Sequence, residues 1–266
     1  MLSPIVAGTS RMASWGWDVS ARVRWIERCL ALGVSSFDHA DIYGGYSVEA
    51  LFGEALAAVP ELRERIQIVT KCGIKLVSPV RPGHAIKSYD SSCAQVTASV
   101  EASLSALRTD RIDVLLIHRP DALMDPDELA DAFDALLHRR HPLVTHQIEF
   151  SPLQLQGLGD GTLDQCVDLC LRPMIWSALA GGRLFSGDGA QALRVRAALD
   201  ALAQAHGVGA ATAAYAWILC HPARPLPITG ASRIQAVAAA AAALSLRLTA
   251  EDWYRVWSAS TGHEVA

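Results

Sequence analysis

Short runs of apolar, mostly β-branched residues alternate along the chain with longer segments in which apolar residues recur at helical spacing. The short runs are apolar almost without interruption, which is typical of parallel strands covered on both faces. The longer segments have the period of amphipathic helices. Seven strands are predicted, over residues 4–7, 34–38, 65–71, 112–118, 143–149, 173–177 and 225–229.

The longer segments also carry helix start and stop signals. Ser20 and Ser47 are suitable N-cap residues, and Asp125 followed by Pro126 is a strong helix start. Gly207 is a suitable stop because glycine readily adopts the left-handed backbone that ends a helix. Helices are therefore predicted after Ser20, after Ser47, around 96–107, after Asp125, and over 164–171, 190–206, 210–220 and 234–244.

Alternation of strands and helices at this spacing predicts βα units and a parallel sheet. No linker or change in composition divides the chain, so residues 1–266 are expected to form one domain. Two architectures fit the pattern, a closed TIM-type (β/α)8 barrel and an open doubly wound sheet. The open sheet usually carries Gly-x-Gly-x-x-Gly after its first strand, whereas Gly8-Thr9-Ser10-Arg11 stands here. The barrel is therefore favoured.

Composition narrows the class of protein. The 266 residues are 51% hydrophobic and 19% charged, which excludes a disordered chain, and no secretory leader or transmembrane helix is expected. A net charge of −4 argues against nucleic acid or an anionic membrane as a partner. The six cysteines form no Cys-x-x-Cys pair, which favours buried thiols in the cytoplasm, and no metal site is predicted.

Polar residues at the carboxyl ends of the predicted strands suggest a reaction, because active sites of βα barrels lie at that end. Asp38 and Tyr43 follow the second strand, Lys71 ends the third, and His118 ends the fourth. An ammonium beside a tyrosine is expected to lower the pKa of its hydroxyl toward the working range of a general acid. Asp38 can keep Lys71 charged, and His118 can hydrogen-bond a carbonyl. Proton donation to a carbonyl oxygen beside a nicotinamide is carbonyl reduction.

The same residues belong to a recognisable set of motifs. These are Asp38-x-x-x-x-Tyr43-Gly44, Lys71, the Leu-Ile-His-Arg-Pro-Asp sequence of 116–121, and the Trp-Ser-Ala-Leu-Ala-Gly-Gly-Arg-Leu-Phe sequence of 176–185. Their order and content resemble the aldo/keto reductase family over most of the chain.

The resemblance implies a role for each matched residue. Tyr43 would be the proton donor, Lys71 and Asp38 the pair that tunes it, and His118 the group that orients the carbonyl. Trp176 would stack on the nicotinamide and Gln147 would bind its carboxamide. The cofactor-binding set implied by the resemblance is Gln147, Trp176, Ser177, Ala178, Leu179, Arg183, Gly230, Ala231, Ser232 and Arg233.

Two departures from the family pattern affect these expectations. Related reductases carry a fifth strand with a Gly-Val-Ser-Asn motif and a further helix, and about one such βα unit is missing here between Leu137 and Leu143. The lost Asn is normally a nicotinamide ligand. In the last helix an alanine run around Ala236 replaces the usual basic residue, which leaves Arg233 for a 2′-phosphate. NADP(H) is therefore favoured over NAD(H).

Three functions remain in view. The first is an NADPH-dependent reductase that converts small aldehydes or ketones to alcohols. The second is a catalytically impaired barrel that binds nucleotide or a partner without turnover, which the missing unit would favour. The third is a lyase or isomerase that forms a Schiff base at Lys71, although Asp38 should keep that lysine protonated. The natural substrate and the oligomeric state are not predicted.

Overall fold

Seven parallel strands form one sheet in the computed structural model of the chain, which describes residues 1–137, 145–230 and 232–264, with the backbone alone at 134–137. In chain order, the strands of the described residues are β1 (Val6–Gly8), β2 (Ser36–Asp38), β3 (Gln67–Cys72), β4 (Ile74–Lys75), β5 (Ser88–Tyr89), β6 (Val114–Ile117), β7 (Gln147–Glu149), β8 (Met174–Trp176) and β9 (Leu226–Thr229). Strands β4 and β5 form a separate short pair and do not belong to the seven-stranded sheet. The order across the sheet is β6, β3, β2, β1, β9, β8 and β7. Each of the seven overlaps one predicted strand, so the predicted parallel sheet is confirmed. The antiparallel pair of β4 and β5 was not predicted.

Contacts between distant strands show that this sheet is strongly curled. Gln147 on β7 donates a hydrogen bond of 2.9 Å to Asp38 on β2, although the two strands are four places apart. In a flat sheet that separation would be about 19 Å. Arg119, which follows β6, lies over the ring of Trp176 on β8 at 5.3 Å, five places away. The strands therefore wrap most of the way around a common axis.

The ring of strands is not closed within the described residues. Strands β6 and β7 are the two edges of the sheet, and no strand in the described part of the chain pairs with the outer side of either one. The stretch between Leu137 and Leu143, where the sequence suggested a missing unit, lies largely outside the described residues.

Helices cover the outer face of the sheet. They are α1 (Val19–Ala31), α2 (Val48–Ala58), α3 (Cys93–Leu107), α4 (Pro126–Leu137), α5 (Thr162–Asp168), α6 (Arg183–Ser186), α7 (Ala190–His206), α8 (Ala210–Leu219), α9 (Ile234–Ala242) and α10 (Ala250–Thr261). None of the helices in the described ranges is both long and apolar enough to cross a membrane.

The helix ends agree with the predicted signals in two cases and differ in two others. Ser47 stands at the N-cap position of α2, but its hydroxyl caps no backbone N–H and donates instead to the Gly44 carbonyl at 2.8 Å. The Asp125 carboxylate accepts the N–H groups of Asp127 and Glu128 at the start of α4, and Gly207 ends α7 in the left-handed region. Ser20 does not cap α1. The helix begins earlier, and Asp18 is the N-cap, accepting the Ala21 N–H at 2.7 Å.

Inside the curled sheet, a small apolar layer forms the floor beneath the carboxyl ends of the strands. Val6, Val69, Met174 and Leu226 pack together there and are almost completely buried. Side chains two positions apart on a strand share a face, so the next inward residues after this layer point toward the carboxyl edge. They are Gly8, Lys71, Trp176 and Ile228, and all four line one cavity. The fold thus sets the candidate site directly above an apolar floor.

Candidate active site

The loop after β2 brings a tyrosine back toward the strand end it has just left. Asp38 is the last residue of β2, and a tight turn follows in which the Tyr43 N–H bonds the Ala40 carbonyl. Gly44 has φ +60°, and a Cβ there would lie 2.7 Å from Ser47 Oγ. Only glycine fits that position without strain. The turn therefore holds Tyr43 beside β2 and leads directly into α2.

Lys71 is buried at the centre of the site, with all of its N–H donors used. Its Nζ donates to Asp38 Oδ1 at 2.7 Å, to the His39 carbonyl at 2.6 Å and to Tyr43 Oη at 3.2 Å. Burial lowers the pKa of Lys71 from its ordinary value, and the Asp38 carboxylate opposes that change. An ammonium with three good acceptors is fully satisfied, so the predicted grouping of Asp38, Tyr43 and Lys71 exists as one hydrogen-bonded chain.

The pKa of Tyr43 does not move in the direction that the sequence suggested. Burial raises the pKa of the Tyr43 hydroxyl above its ordinary value and Asp38 raises it further, while Arg119 opposes them. The expected lowering by Lys71 is not found because burial, and after it the negative charge of Asp38, both favour the neutral hydroxyl. The hydroxyl is therefore held in its protonated form, which is the form a proton donor needs.

His118 faces the tyrosine across the cavity. The two ring centroids are 5.8 Å apart and the rings meet edge to face. Burial lowers the pKa of His118 to about 3, with the positive charges of Lys71 and Arg119 adding to the effect. The imidazole is therefore neutral near pH 7. It can donate one hydrogen bond to a carbonyl oxygen, but it is not a proton source.

Gln147 makes a hydrogen bond that the sequence did not predict. Its Nε2 donates to the same Asp38 oxygen that accepts from Lys71, at 2.9 Å. The amide oxygen and the second N–H of Gln147 remain for a ligand. The residue thus links β7 to Asp38 on β2 while it lines the cavity.

The turn after β8 forms another wall of the cavity. Ser177 and Ala180 both have φ of 51°, in the left-handed region. The lining residues in this turn are Trp176, Ser177, Ala178, Leu179, Gly181 and Gly182. Arg183 belonged to the predicted cofactor set but is not among the lining residues. Its Nε donates to the Ala180 carbonyl at 3.1 Å and so supports the turn from behind.

The end of β9, the strand beside β8, supplies the neighbouring wall. Gly230 and Arg233 line the cavity, Ser232 does not, and Ala231 lies outside the described residues. Arg11, in the loop after β1, donates from Nη2 to the Gly230 carbonyl. Sequence reasoning missed Arg11 because only the pairing of β1 with β9 brings its loop beside Gly230.

All of these walls enclose one cavity of about 1730 Å³. That volume exceeds the usual range for a site that holds a single small molecule, about 300–1000 Å³. The cavity brings together all four predicted catalytic residues, Asp38, Tyr43, Lys71 and His118. It also extends past the edge strands to Leu129 and Phe133 on α4.

Two acidic residues behind the site were also missed. Glu49 is buried on α2, where its carboxylate accepts the hydroxyls of Thr70 at 2.5 Å and Ser103 at 2.9 Å. Burial, with the negative charge of Glu49 adding to it, raises the pKa of Asp41 to about 7. From sequence, Asp41 has the pattern of an ordinary loop residue, and no signal indicates its burial.

Comparison with known proteins places these features in a family. A model of the "Aldo/keto reductase family" matches residues 4–139 and 133–260. "Uncharacterized oxidoreductase YcsN" of Bacillus subtilis (strain 168) is 42% identical over 99% of this chain and 96% of its own length. "Oxidoreductase YdhF" of Escherichia coli (strain K12) is 43% identical over 99% and 95%. A "6-dehydroglucose reductase" of Agrobacterium fabrum is 38% identical over 100% and 96%. With matches over nearly its whole length and the tyrosine, lysine, aspartate and histidine assembled around one cavity, the chain belongs to the aldo/keto reductase family of oxidoreductases.

Proposed function

We propose that this protein reduces the carbonyl group of an aldehyde or ketone to an alcohol, with NADP(H) as the cofactor and Tyr43 as the proton donor. The observation that carries the proposal is the buried chain from Asp38 through Lys71 to Tyr43, with His118 opposite. The residues 1–266 would act as one domain, in the cytoplasm, on a small-molecule substrate.

The residues lining the cavity fit a nicotinamide dinucleotide. Trp176 offers an aromatic face, and Gln147 keeps an amide oxygen and an N–H for a carboxamide. At the other end, Arg11 and Arg233 bring positive charge to the ends of β1 and β9, where a 2′-phosphate would find a bidentate partner. This pair favours NADP(H) over NAD(H). When bound, the cofactor supplies the hydride.

Residues of the protein supply the proton that the carbonyl oxygen gains. The protonated hydroxyl of Tyr43 donates to the carbonyl oxygen as negative charge develops there. Neutral His118 donates a hydrogen bond to the same oxygen and fixes its orientation. Lys71, held by Asp38, stabilises the phenolate that Tyr43 becomes. Two relatives named 6-dehydroglucose reductase support carbonyl reduction as the reaction class.

We also propose that the barrel lacks about one βα unit, its fifth strand and helix, between Leu137 and Leu143. The family model matches in two segments that meet at residues 133–139. The alignments with two relatives extend over 289 and 286 positions, more than the 266 residues of this chain. The relatives therefore contain residues with no counterpart here. The open edges of β6 and β7 support the same location.

The open sheet is the observation that favours a second candidate function, a barrel that binds nucleotide without turnover. Strands β6 and β7 have no partner on their outer sides among the described residues, and a site beside such edges has less support for the positions of its residues. The intact chain of Asp38, Lys71 and Tyr43 favours the reductase, and burial of Lys71 against Asp38 disfavours Schiff-base chemistry.

Cofactor fluorescence and turnover separate the two functions. NADPH is titrated into the protein, and oxidation of NADPH with benzaldehyde is then followed for wild type, Tyr43→Phe and the matched control Tyr254→Phe, whose ring is exposed on α10. We expect Tyr43→Phe to bind NADPH like wild type and to lose about 10²- to 10⁴-fold in kcat. Binding without any turnover in wild type supports the second function. Absence of binding, or full activity in Tyr43→Phe, refutes the proposed reductase.

A further inference from the structure

Arg119 is an exposed cation on the side of the cavity where the reaction would occur. It directly follows His118 at the end of β6 and lines the same cavity as Tyr43. We infer that Arg119 selects the substrate by binding a carboxylate carried by the carbonyl compound. This inference rests on the proposed carbonyl reduction and adds a substrate class to it, aldehydes or ketones that also bear a carboxylate.

The positively charged side chains that line the cavity differ in their positions and in the contacts they already make. The Lys and Arg side chains that line it within the described ranges are Arg11, Lys71, Arg119 and Arg233. Arg11 and Arg233 lie at the ends of β1 and β9, on the side that fits the cofactor phosphates. Lys71 has all three donors used. Arg119 is the cation that remains for a substrate beside His118.

Stacking holds the Arg119 guanidinium without using its donors. Its Cζ lies 5.3 Å from the ring centroid of Trp176. A guanidinium stacked on an aromatic face is held by cation–π attraction, while its N–H groups point outward in its own plane. Those N–H groups form the fork that matches the two oxygens of a carboxylate.

Nearby carboxylates do not neutralise this arginine. None of the ion pairs found among the described side chains includes Arg119. Asp121, two residues away, instead accepts the Ser91 hydroxyl at 3.2 Å and the Leu123 N–H at 2.9 Å. Glu149 also lines the cavity, yet it forms none of those ion pairs. Within the described part of the chain, Arg119 therefore lines the cavity with no carboxylate paired to it.

The hydrogen bonds of Asp121 also hold the backbone of the loop that carries Arg119. Asp121 ties the loop to Ser91, and Pro120 restricts the backbone of the residue before it. The guanidinium is thus held near His118 before any substrate arrives, which reduces the entropy lost on binding.

Paired substrates test the inference. The values of kcat/KM are measured for benzaldehyde, for the 2-, 3- and 4-carboxybenzaldehydes, and for their neutral methyl esters. The variants are Arg119→Met, which removes charge and fork, Arg119→Lys, which keeps the charge, and Arg255→Met as control. Arg255 is an exposed arginine on α10 that pairs with Glu251, remote from the cavity.

We expect Arg119→Met to lower kcat/KM for the best carboxybenzaldehyde by about 10- to 100-fold, the usual effect of one charge-assisted contact. Benzaldehyde and the esters share every contact except the carboxylate and should lose clearly less, so the ratio of kcat/KM for the acid to that for its ester is the readout. Arg119→Lys should fall between, and Arg255→Met should match wild type. Equal losses on charged and neutral aldehydes, or no loss, overturn the inference.

A binding measurement keeps the two proposals separable. Benzoate is titrated calorimetrically into wild type and Arg119→Met, with NADPH present. If wild type reduces none of the aldehydes, the proposed reductase fails. Weaker benzoate binding in Arg119→Met then still supports the anion site, and equal binding in the two proteins overturns it.

Discussion

Gln147 and Lys71 donate to the same oxygen of Asp38, at 2.9 and 2.7 Å, from strands on opposite sides of the cavity. The carboxylate thus joins the predicted proton-donor group to the wall that would hold the nicotinamide. Gln147, which the sequence predicted only as a cofactor-binding residue, therefore also belongs to the hydrogen-bond network of Asp38 and Lys71.

Replacing Gln147 should therefore lower the stability of the fold as well as the affinity for the cofactor. Gln147→Leu removes one hydrogen bond to Asp38 and is expected to lower the free energy of unfolding by about 1 kcal/mol. Gln147→Glu should be worse at pH 8, because it sets a second carboxylate against Asp38. Urea unfolding at pH 8 and pH 5 measures both, and equal losses at the two pH values in Gln147→Glu would contradict the assigned contact.

The buried pair of Lys71 and Asp38 should show strong coupling. Lys71→Met leaves a buried carboxylate without its cation and is expected to cost about 3–5 kcal/mol of unfolding free energy. Asp38→Asn alone should cost a similar amount. The double variant should lose clearly less than the sum of the two, because no unpaired charge remains. Chemical unfolding of the four proteins completes the cycle, and strict additivity would refute the coupling.

Asp41 should make stability fall as pH rises through neutrality. Burial, with Glu49 adding to it, raises the pKa of Asp41 from 3.8 to about 7, while Arg81 and Ser99 oppose the shift. A raised carboxyl pKa gives stability that is full below pH 3.8 and is lost as the pH rises through 7.

Asp41→Asn does not titrate, so its gain in unfolding free energy over wild type should grow between pH 5 and pH 8, by on the order of 2 kcal/mol. Urea titrations at the two pH values check this. A gain that is independent of pH would show that the Asp41 carboxyl has an ordinary pKa. Asp160→Asn, an exposed aspartate on a loop, serves as the matched control.

His39 should make the stability of the protein fall as the pH becomes acidic, the reverse of the pH dependence expected from Asp41. Burial lowers the pKa of His39 to about 3, with Lys71 contributing, and the ring packs on Phe52 at 4.4 Å. Its contribution to stability is full above pH 6.5 and is lost as the pH falls toward 3. His39→Gln should be less stable than wild type at pH 7, with the difference shrinking by about 2 kcal/mol at pH 4.5. Thermal unfolding across that range measures the gap, and a constant gap would argue against a neutral buried imidazole.

Local patterns predicted the strands because each buried strand is a short apolar run, and they predicted the ends of α4 and α7 because capping chemistry is local. They were wrong at the start of α1, where Ser20 was predicted as the cap and Asp18 is the cap, since both residue types can cap a helix. The helix α10 was not predicted, although its start carries a local signal, the capping box in which Thr249 and Asp252 exchange hydrogen bonds.

The candidate site, too, was predictable from the sequence only in part. Asp38, Tyr43, Lys71 and His118 could be chosen because strand ends converge in a parallel fold. The direction of the Tyr43 pKa could not, because burial belongs to the assembled site and no residue type encodes it. The bond from Gln147 to Asp38 depends on how far the sheet curls, which no local pattern specifies.

The pairing of β1 with β9 is the one ladder that joins the first four strands of the sheet to the last three within the described residues. It consists of Val6 opposite Ile228 and Ala7 opposite Thr229. Two side-chain contacts also connect these two groups of strands, the hydrogen bond from Gln147 to Asp38 and the contact of Arg119 with Trp176. Both cross the cavity, so the residues that line the site also tie the two parts of the sheet together.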